Sequence, residues 1–234
     1  MYKFLGSKEY INNTQRWILF LKDAQPSELR TLPKIMERIQ AVKEFRLSSK
    51  AKEIHKFAET PTLFAQQTQP VGEPFVIVPI VSSSRRRYIP MGYVDGNTIV
   101  NNRVFLIPNA DLFMFGILNS NVHNAWMRKV AVRLKDDYSY SKDLVYNTFP
   151  MPELTEECKN NISATAQMIL DARALYPTST LADLYDPLTM PPELTKAHIQ
   201  NDKAVMQAYG FSIKDTSETD CVEALMKMYE KLTK

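Results

Sequence analysis

The sequence changes character at Phe149–Pro152, and this change constrains the fold more than any other feature. Upstream of it, short apolar runs of the kind that form strands alternate with helical patterns, whereas downstream only helical patterns occur. Strands mixed with helices and then helices alone are typical of an α+β protein. We therefore predict a mixed or antiparallel sheet with packed helices over residues 1–150, followed by a small all-α module over residues 151–234.

Several apolar runs in the first part predict strands. Residues Trp17–Leu21 are bulky and apolar, which indicates a buried strand. A second strand is predicted in "PFVIVPIVSSS", and Pro79, like Pro90 further on, favours an edge position or a bulge. The runs "RRRYIPMGYV" and "TIVNNRVFLI" flank Asp95-Gly96-Asn97, a typical hairpin turn, so we expect them to pair.

Helical periodicity predicts the remaining elements. Pro33 suits the first position of a helix, and apolar residues follow it at spacings of four and three. A second helical region runs from Asn109 to about Leu134, with a break near 119–121. In the last part, Pro192 and Gly210 bracket one of the helices.

The formal charge of +3 hides a division between the two parts of the chain. Residues 1–150 hold 21 Lys and Arg against 13 Asp and Glu, giving +8, and residues 151–234 hold 8 against 13, giving −5. A basic half favours a polyanionic partner such as nucleic acid, although a solvated basic surface is an equal alternative.

The compartment follows from what the sequence does not contain. No apolar run reaches the roughly 18 residues of a membrane span, and the N-terminus lacks the order of a signal peptide. The two cysteines, Cys158 and Cys221, lie in helical patterns and are interpreted as core thiols. We expect a cytoplasmic protein without membrane association.

The sequence contains no convincing catalytic pattern. None of the six glycines has the G-x-G spacing of a nucleotide or S-adenosylmethionine pocket. The three histidines lie on helical stretches without a nucleophile pattern and are interpreted as structural or surface groups. Asp136 and Asp137 beside Lys135 lack a third carboxylate, so a self-sufficient metal-dependent nuclease stays an alternative only. We predict no catalytic residue, metal site or cofactor site in this chain.

Two polar segments suit contacts with DNA. Three serines precede three arginines at a predicted strand end, where alternation would place Arg85 and Arg87 on one face. With Ser84 they are candidates for the DNA backbone, although charge that protects an edge strand is the alternative. Asn102 and Arg103 are candidates for base readout, because Asn bonds adenine and Arg bonds guanine in the major groove.

The segment "VRLKDDYSYS" at 132–141 is the third candidate. If it is extended, Lys135, Asp137 and Ser139 lie on one side, and Lys can donate to guanine while Asp accepts from cytosine. These three residues are assigned to base readout, and Arg133 is assigned to the DNA backbone. A plain surface pair of Lys and Asp is the alternative.

Several strings resemble the C-terminal part of MmeI-like DNA methyltransferases. They are "RWILFL", "FRLSSK", "PIVSSSRRRYIPMGYV", "GILNSNVHNAWMRKVAVRLKDDYSYSKDLVYNTFPMP" and "LADLYDPLTMPPELTKAHIQNDKAVMQAYG". Together they touch nearly the whole chain in the right order, and the long string from Gly116 to Pro152 is the most specific.

The resemblance implies the specificity part of an adenine-directed methyltransferase of a bacterial restriction-modification system. Such a part consists of a target recognition domain followed by a helical C-terminal domain. The catalytic motif, the S-adenosylmethionine site and any endonuclease would lie upstream, in the same full-length protein. The expected partners are therefore double-stranded DNA and that methyltransferase domain.

The resemblance also supports base readout by Lys135, Asp137 and Ser139, because such domains vary their base-contacting side chains after the helix that holds Trp126. Val132 departs from the Gly usual in the family, which puts in doubt the approach of the backbone to DNA there. Besides the nuclease, a protein interaction module that docks a methyltransferase or restriction subunit stays an alternative.

Overall fold

The computed structural model describes residues 1–234 and confirms an α+β fold. The chain divides into two compact units, one of residues 1–3 with 17–69 and one of residues 4–16 with 70–234. No helix combines the length and the apolar composition that crossing a bilayer requires.

The smaller unit is mostly helical. Strand β1 is Tyr2–Leu5, and its first residues pair antiparallel with strand β2, Trp17–Ile18. Helices α2, Pro26–Arg30, and α3, Pro33–Leu47, both have proline in their first turn, as predicted for Pro33. A 3-10 helix, Lys52–Glu59, follows.

Two expectations for this unit are corrected. The predicted buried strand over Trp17–Leu21 is limited to its first two residues, and Trp17 is 57% exposed. The apolar stripe of α3 is not buried either, since Phe45 is 73% exposed and no residue of the helix is fully buried. Arg46 instead holds α3 to the segment after it by donating to the carbonyls of Phe57, Thr60 and Leu63.

The larger unit contains an antiparallel sheet of three strands. The central strand β3, Phe75–Pro79, is buried throughout and lies between β5, Gly92–Val94, and β7, Val104–Pro108. An edge position or a bulge was expected for Pro79, but it is the last residue of this central strand and pairs on one side only, with Val104 of β7. A proline is tolerated there because the ladder ends with it.

The predicted hairpin around Asp95-Gly96-Asn97 is wrong. The turn forms, with Asn97 and Thr98 bonded to Asp95, but β5 pairs with β3 and not with β6, Thr98–Val100. Gly96 is required for another reason, since a Cβ there would stand 2.2 Å from the carbonyl carbon of Gly72.

The other short elements complete the sheets. Strand β4 is Val81–Ser82, β8 is Val132–Leu134 and β9 is Asp137–Ser139. Helix α1 is Ser7–Ile11, and one turn of π-helix covers Lys142–Tyr146.

The helices form one buried core with the sheet. They are α4 at Leu112–Leu118, α5 at Asn121–Val130, α6 at Glu156–Ala174, α7 at Leu181–Leu184, α8 at Pro192–Ala208 and α9 at Glu218–Thr233. The core runs without interruption from Val76 of β3 through Trp126 to Ile162 and Leu225. The break predicted near 119–121 is confirmed, with Ser120 capping α5, but α5 ends at Val130 because the next residues join the β8 strand.

Helix α4 packs closely on α6 at a glycine. A Cβ on Gly116 would stand 2.7 Å from Ile162 Cγ2 and 3.0 Å from Ala166 Cβ. We expect Gly116→Ala to lower the free energy of unfolding by about 1–3 kcal/mol through overpacking, despite the better helix propensity of alanine. Chemical denaturation measures the change. Met168→Ala, on the exposed side of α6, is the matched control and should stay close to wild type; a stabilised Gly116→Ala variant would contradict the packing argument.

Candidate nucleic-acid interface

The candidate interface is built on a small antiparallel sheet in the order β4-β9-β8. Central strand β9 pairs with β8 through Leu134 opposite Asp137, and with β4 through Ser82 opposite Tyr138. The segment "VRLKDDYSYS" is thus a tight hairpin and not one extended strand. The expectation that Lys135 and Asp137 lie on one side of a strand is therefore wrong, because Lys135 lies in the turn and Asp137 begins β9.

Lys135 lies at the tip of this hairpin and is exposed. Its φ of 57° is positive, while that of Asp136 is not, which is the pattern of a type II′ turn. Glycine is favoured at this first central position, because a Cβ clashes with the backbone there. Lys135 therefore has a conformation that a residue other than glycine adopts only at a steric cost.

Asp137 and Ser139 occupy one face of β9, and Tyr138 occupies the other. Tyr138 and Tyr140, which follows the strand, are buried in the core, whereas Asp137 and Ser139 are half-buried. The part of the alternation that concerns these two residues is confirmed.

Asp137 also connects two of the candidate segments. Its Oδ1 accepts a hydrogen bond from the backbone N–H of Ser84 at 3.3 Å. Its Oδ2 has no hydrogen bond and stays available as an acceptor. The structure therefore brings Asp137 and Ser84 together, although they are 53 residues apart.

Arg133 stabilises the hairpin through contacts with Asp136 and Tyr138. Its guanidinium lies 4.2 Å from the centroid of the Tyr138 ring, and it donates to the Asp136 carbonyl at 2.9 Å and to the Tyr138 hydroxyl at 3.0 Å. Two of the five guanidinium N–H groups are thereby used, and the others are free to donate.

The three arginines lie in a loop and not at a strand end, because β4 stops at Ser82. The expected placement of Arg85 and Arg87 on one strand face is thus wrong. Arg85 lies 3.5 Å from the carboxylate of Asp186, and Arg87 lies 3.9 Å from that of Asp202. Both side chains are about two-thirds exposed, so these contacts leave them accessible.

Asn102 and Arg103 lie in the loop directly before β7, and both are exposed. The Arg103 N–H donates to Asn101 Oδ1 at 2.9 Å, and its carbonyl accepts from the N–H of Ile80. The carbonyl of Ile80 accepts in turn from Tyr140 N at 2.7 Å. The backbone of Ile80 therefore joins this loop to the strand that carries Asp137 and Ser139.

Two further arginines, one in the loop and one beside it, have no role that the sequence predicts. Arg86 is half-buried, and loss of contact with water lowers its pKa, against the opposing charges of Asp137 and Asp186. Arg128 of α5 donates to both carboxylate oxygens of Glu218, at 2.7 and 2.9 Å. No local pattern could have indicated Arg128, because its partner lies 90 residues away.

Two family models match the chain from end to end. The MmeI target recognition domain matches residues 1–153, and the MmeI C-terminal domain matches residues 154–234. The chain belongs to the MmeI family. The resemblance seen in its sequence is confirmed.

Individual relatives agree with the MmeI assignment. DNA methyltransferase A of Bacillus subtilis (strain 168) is 42% identical over 231 residues, which are 99% of this chain and 26% of that protein. The structure of the Type IIL restriction-modification enzyme MmeI in complex with DNA matches with a TM-score of 0.93 and 45% identity, over 99% of this chain and 31% of that one. The chain thus spans between a quarter and a third of the length of these relatives.

The strain at Lys135 gives a test that needs no DNA. We expect Lys135→Gly to raise the free energy of unfolding by about 0.5–1 kcal/mol, because glycine adopts positive φ without a steric penalty. Thermal or urea unfolding measures it. Asp136→Gly, in the same turn but without a positive φ, should not stabilise the chain. Equal gains for the two variants would mean that the turn carries no strain specific to Lys135.

Proposed function

We propose that this chain is the sequence-reading part of a bacterial restriction-modification methyltransferase and binds double-stranded DNA through the β8–β9 hairpin and the loops beside it. The main support is the exposed Lys135 at a strained turn, next to Asp137 and Ser139 on the outer face of β9. The similar MmeI was solved in complex with DNA, which supports DNA as the ligand of this chain.

The readout rests on complementary donors and acceptors. Lys135 donates to O6 or N7 of guanine, and the free Oδ2 of Asp137 accepts from N4 of cytosine, so the pair reads one G·C base pair. The bond from Ser84 N holds Asp137 in place, so little conformational entropy is lost on binding. Ser139, Asn102 and Arg103 serve as further base contacts.

Affinity comes from contacts with phosphate. Ser84, Arg85, Arg87 and Arg133 donate to the DNA backbone, which fixes the position of the chain on the duplex and makes binding salt-dependent. The two exposed arginines are held only loosely by their carboxylates, so phosphate can replace these partners.

The chemistry is assigned to the part of the protein outside these residues. A methyltransferase domain of the same polypeptide binds S-adenosylmethionine and transfers the methyl group, and this chain presents the chosen site to it. Such a protein acts on DNA in the cytoplasm.

Selection from a random duplex library at two salt concentrations tests the proposal. The chain should enrich a motif with a fixed G·C pair. Lys135→Ala and Asp137→Ala should each relax that position by about 1–3 kcal/mol, because one base contact is lost, and should leave non-specific binding close to wild type. Sequencing of the bound DNA gives the preference at each position.

Lys231→Ala is the control, since it removes one exposed lysine from α9 and should leave the motif unchanged. If Lys135→Ala weakens all duplexes equally, Lys135 contacts phosphate and its readout role is refuted. Absence of any DNA binding by the wild-type chain would favour the protein interaction module instead.

A further inference from the structure

A cavity with a volume of about 490 Å³ lies between the Ser83–Arg87 loop, α5 and the start of α9. Four arginines contribute to its lining, Arg85, Arg86, Arg87 and Arg128. Glu218 is the acidic residue in the same wall. The lining therefore holds more cationic than anionic residues.

The nearby carboxylates neutralise only part of this charge, since Asp186 and Asp202 lie 3.5 and 3.9 Å from Arg85 and Arg87. Glu218 is fully engaged by Arg128, which binds both of its oxygens and also donates to the Arg87 carbonyl at 3.1 Å. Asp202 already accepts from the Tyr88 hydroxyl at 2.6 Å and from Asn121 N at 2.7 Å, and it is 3.9 Å from Arg87. The contacts of Arg85 and Arg87 with carboxylates are therefore long.

Arg86 is the least satisfied of the four. Its side chain is half-buried, yet it forms no hydrogen bond and no ion pair, and the charges of Asp137 and Asp186 act on it only from a distance. A guanidinium that loses water without gaining an anion destabilises the fold. An arginine kept in this state beside a cavity indicates a ligand that supplies the missing charge.

The chemistry of that ligand follows from the donors. Guanidinium groups bind phosphate through paired N–H···O bonds. The cavity volume lies in the range of small-ligand sites, so it accommodates a phosphate group together with part of a sugar or base.

We propose that this cavity is a phosphate-binding site and that Arg86 is its principal ligand. The sequence pointed to Arg85 and Arg87, which have carboxylates nearby, whereas the geometry points to the arginine between them. A phosphodiester of bound DNA and the phosphate of a free nucleotide have the same chemistry here. The DNA source rests on the proposed function, and the free source does not.

The test compares the 234-residue wild-type chain with Arg86→Ala, Arg86→Lys and Arg38→Ala, the last removing an exposed arginine from α3. The first readout is the melting temperature in increasing inorganic pyrophosphate. Wild type and Arg38→Ala should be stabilised, Arg86→Ala should lose the shift, and Arg86→Lys should keep part of it, because lysine retains the charge but not the paired donors.

The second readout is binding to duplexes of unrelated sequence over a range of salt. If DNA supplies the phosphate, Arg86→Ala should weaken every duplex about tenfold and reduce the salt slope by about 0.9. Circular dichroism without ligand checks that each variant folds. If Arg86→Ala does not fold, Arg86→Lys and Arg86→Gln replace it.

The two readouts separate the possible results. Loss of the pyrophosphate shift together with weaker DNA binding supports a site for the DNA backbone. Loss of the shift with unchanged DNA binding supports a site for a free phosphate compound. If the wild type responds to pyrophosphate and binds no DNA, the proposed function fails and the cavity site stands. If Arg86→Ala changes neither readout while wild type binds DNA, the cavity site is refuted and the proposed function stands.

Discussion

One buried carboxylate, that of Asp202 on α8, positions the arginine loop of the candidate interface against α5. It accepts from the first backbone N–H of α5, at Asn121, and from the hydroxyl of Tyr88, directly after the arginine loop. Burial raises its pKa to about 6 against the lowering effect of these two bonds. A charge at this depth is stable only while its partners stay in place, so it fixes them in return. Tyr88 also stacks on the ring of His198. Burial keeps the pKa of His198 well below its usual value. Its Nε2 shares a hydrogen bond of 2.8 Å with the hydroxyl of Tyr185. The C-terminal helices thereby determine where the loop of the first domain lies.

What could be predicted from sequence was local. The first position of α3 at Pro33, the break before α5 and the last helices all depend on neighbouring residues, through caps, prolines and helical periodicity. The family resemblance located the polar segments of the candidate interface for the same reason, because it rests on contiguous strings. The alternation of Asp137 with Ser139 also held, since both lie within one strand.

What could not be predicted depends on distant partners. The turn at Asp95 was recognised, but the partner of β5 is chosen by burial against β3, which no turn residue specifies. The run from Val132 reads equally well as one strand or as a hairpin, because its turn has lysine where glycine is usual. Arg86 received no role from the sequence, because the charges that act on it, those of Asp137 and Asp186, lie far from it along the chain.

The hairpin separates side chains that hold the fold from side chains that face away from the core. Tyr138 and Tyr140 bury their rings in the core, and the hydroxyl of Tyr140 bonds to His123 at 2.9 Å, so one side of the segment is fixed by packing. Asp137 and Ser139 point to the other side and contribute little to the core. Under the proposed function, a substitution at Ser139 changes the groups offered to a base without creating a cavity in the core, whereas one at Asp137 also removes the bond from Ser84 N. The abundance of tyrosine among charged residues in this segment follows from that division: the aromatic residues hold the strand, and the polar ones between them are free to specify what it contacts.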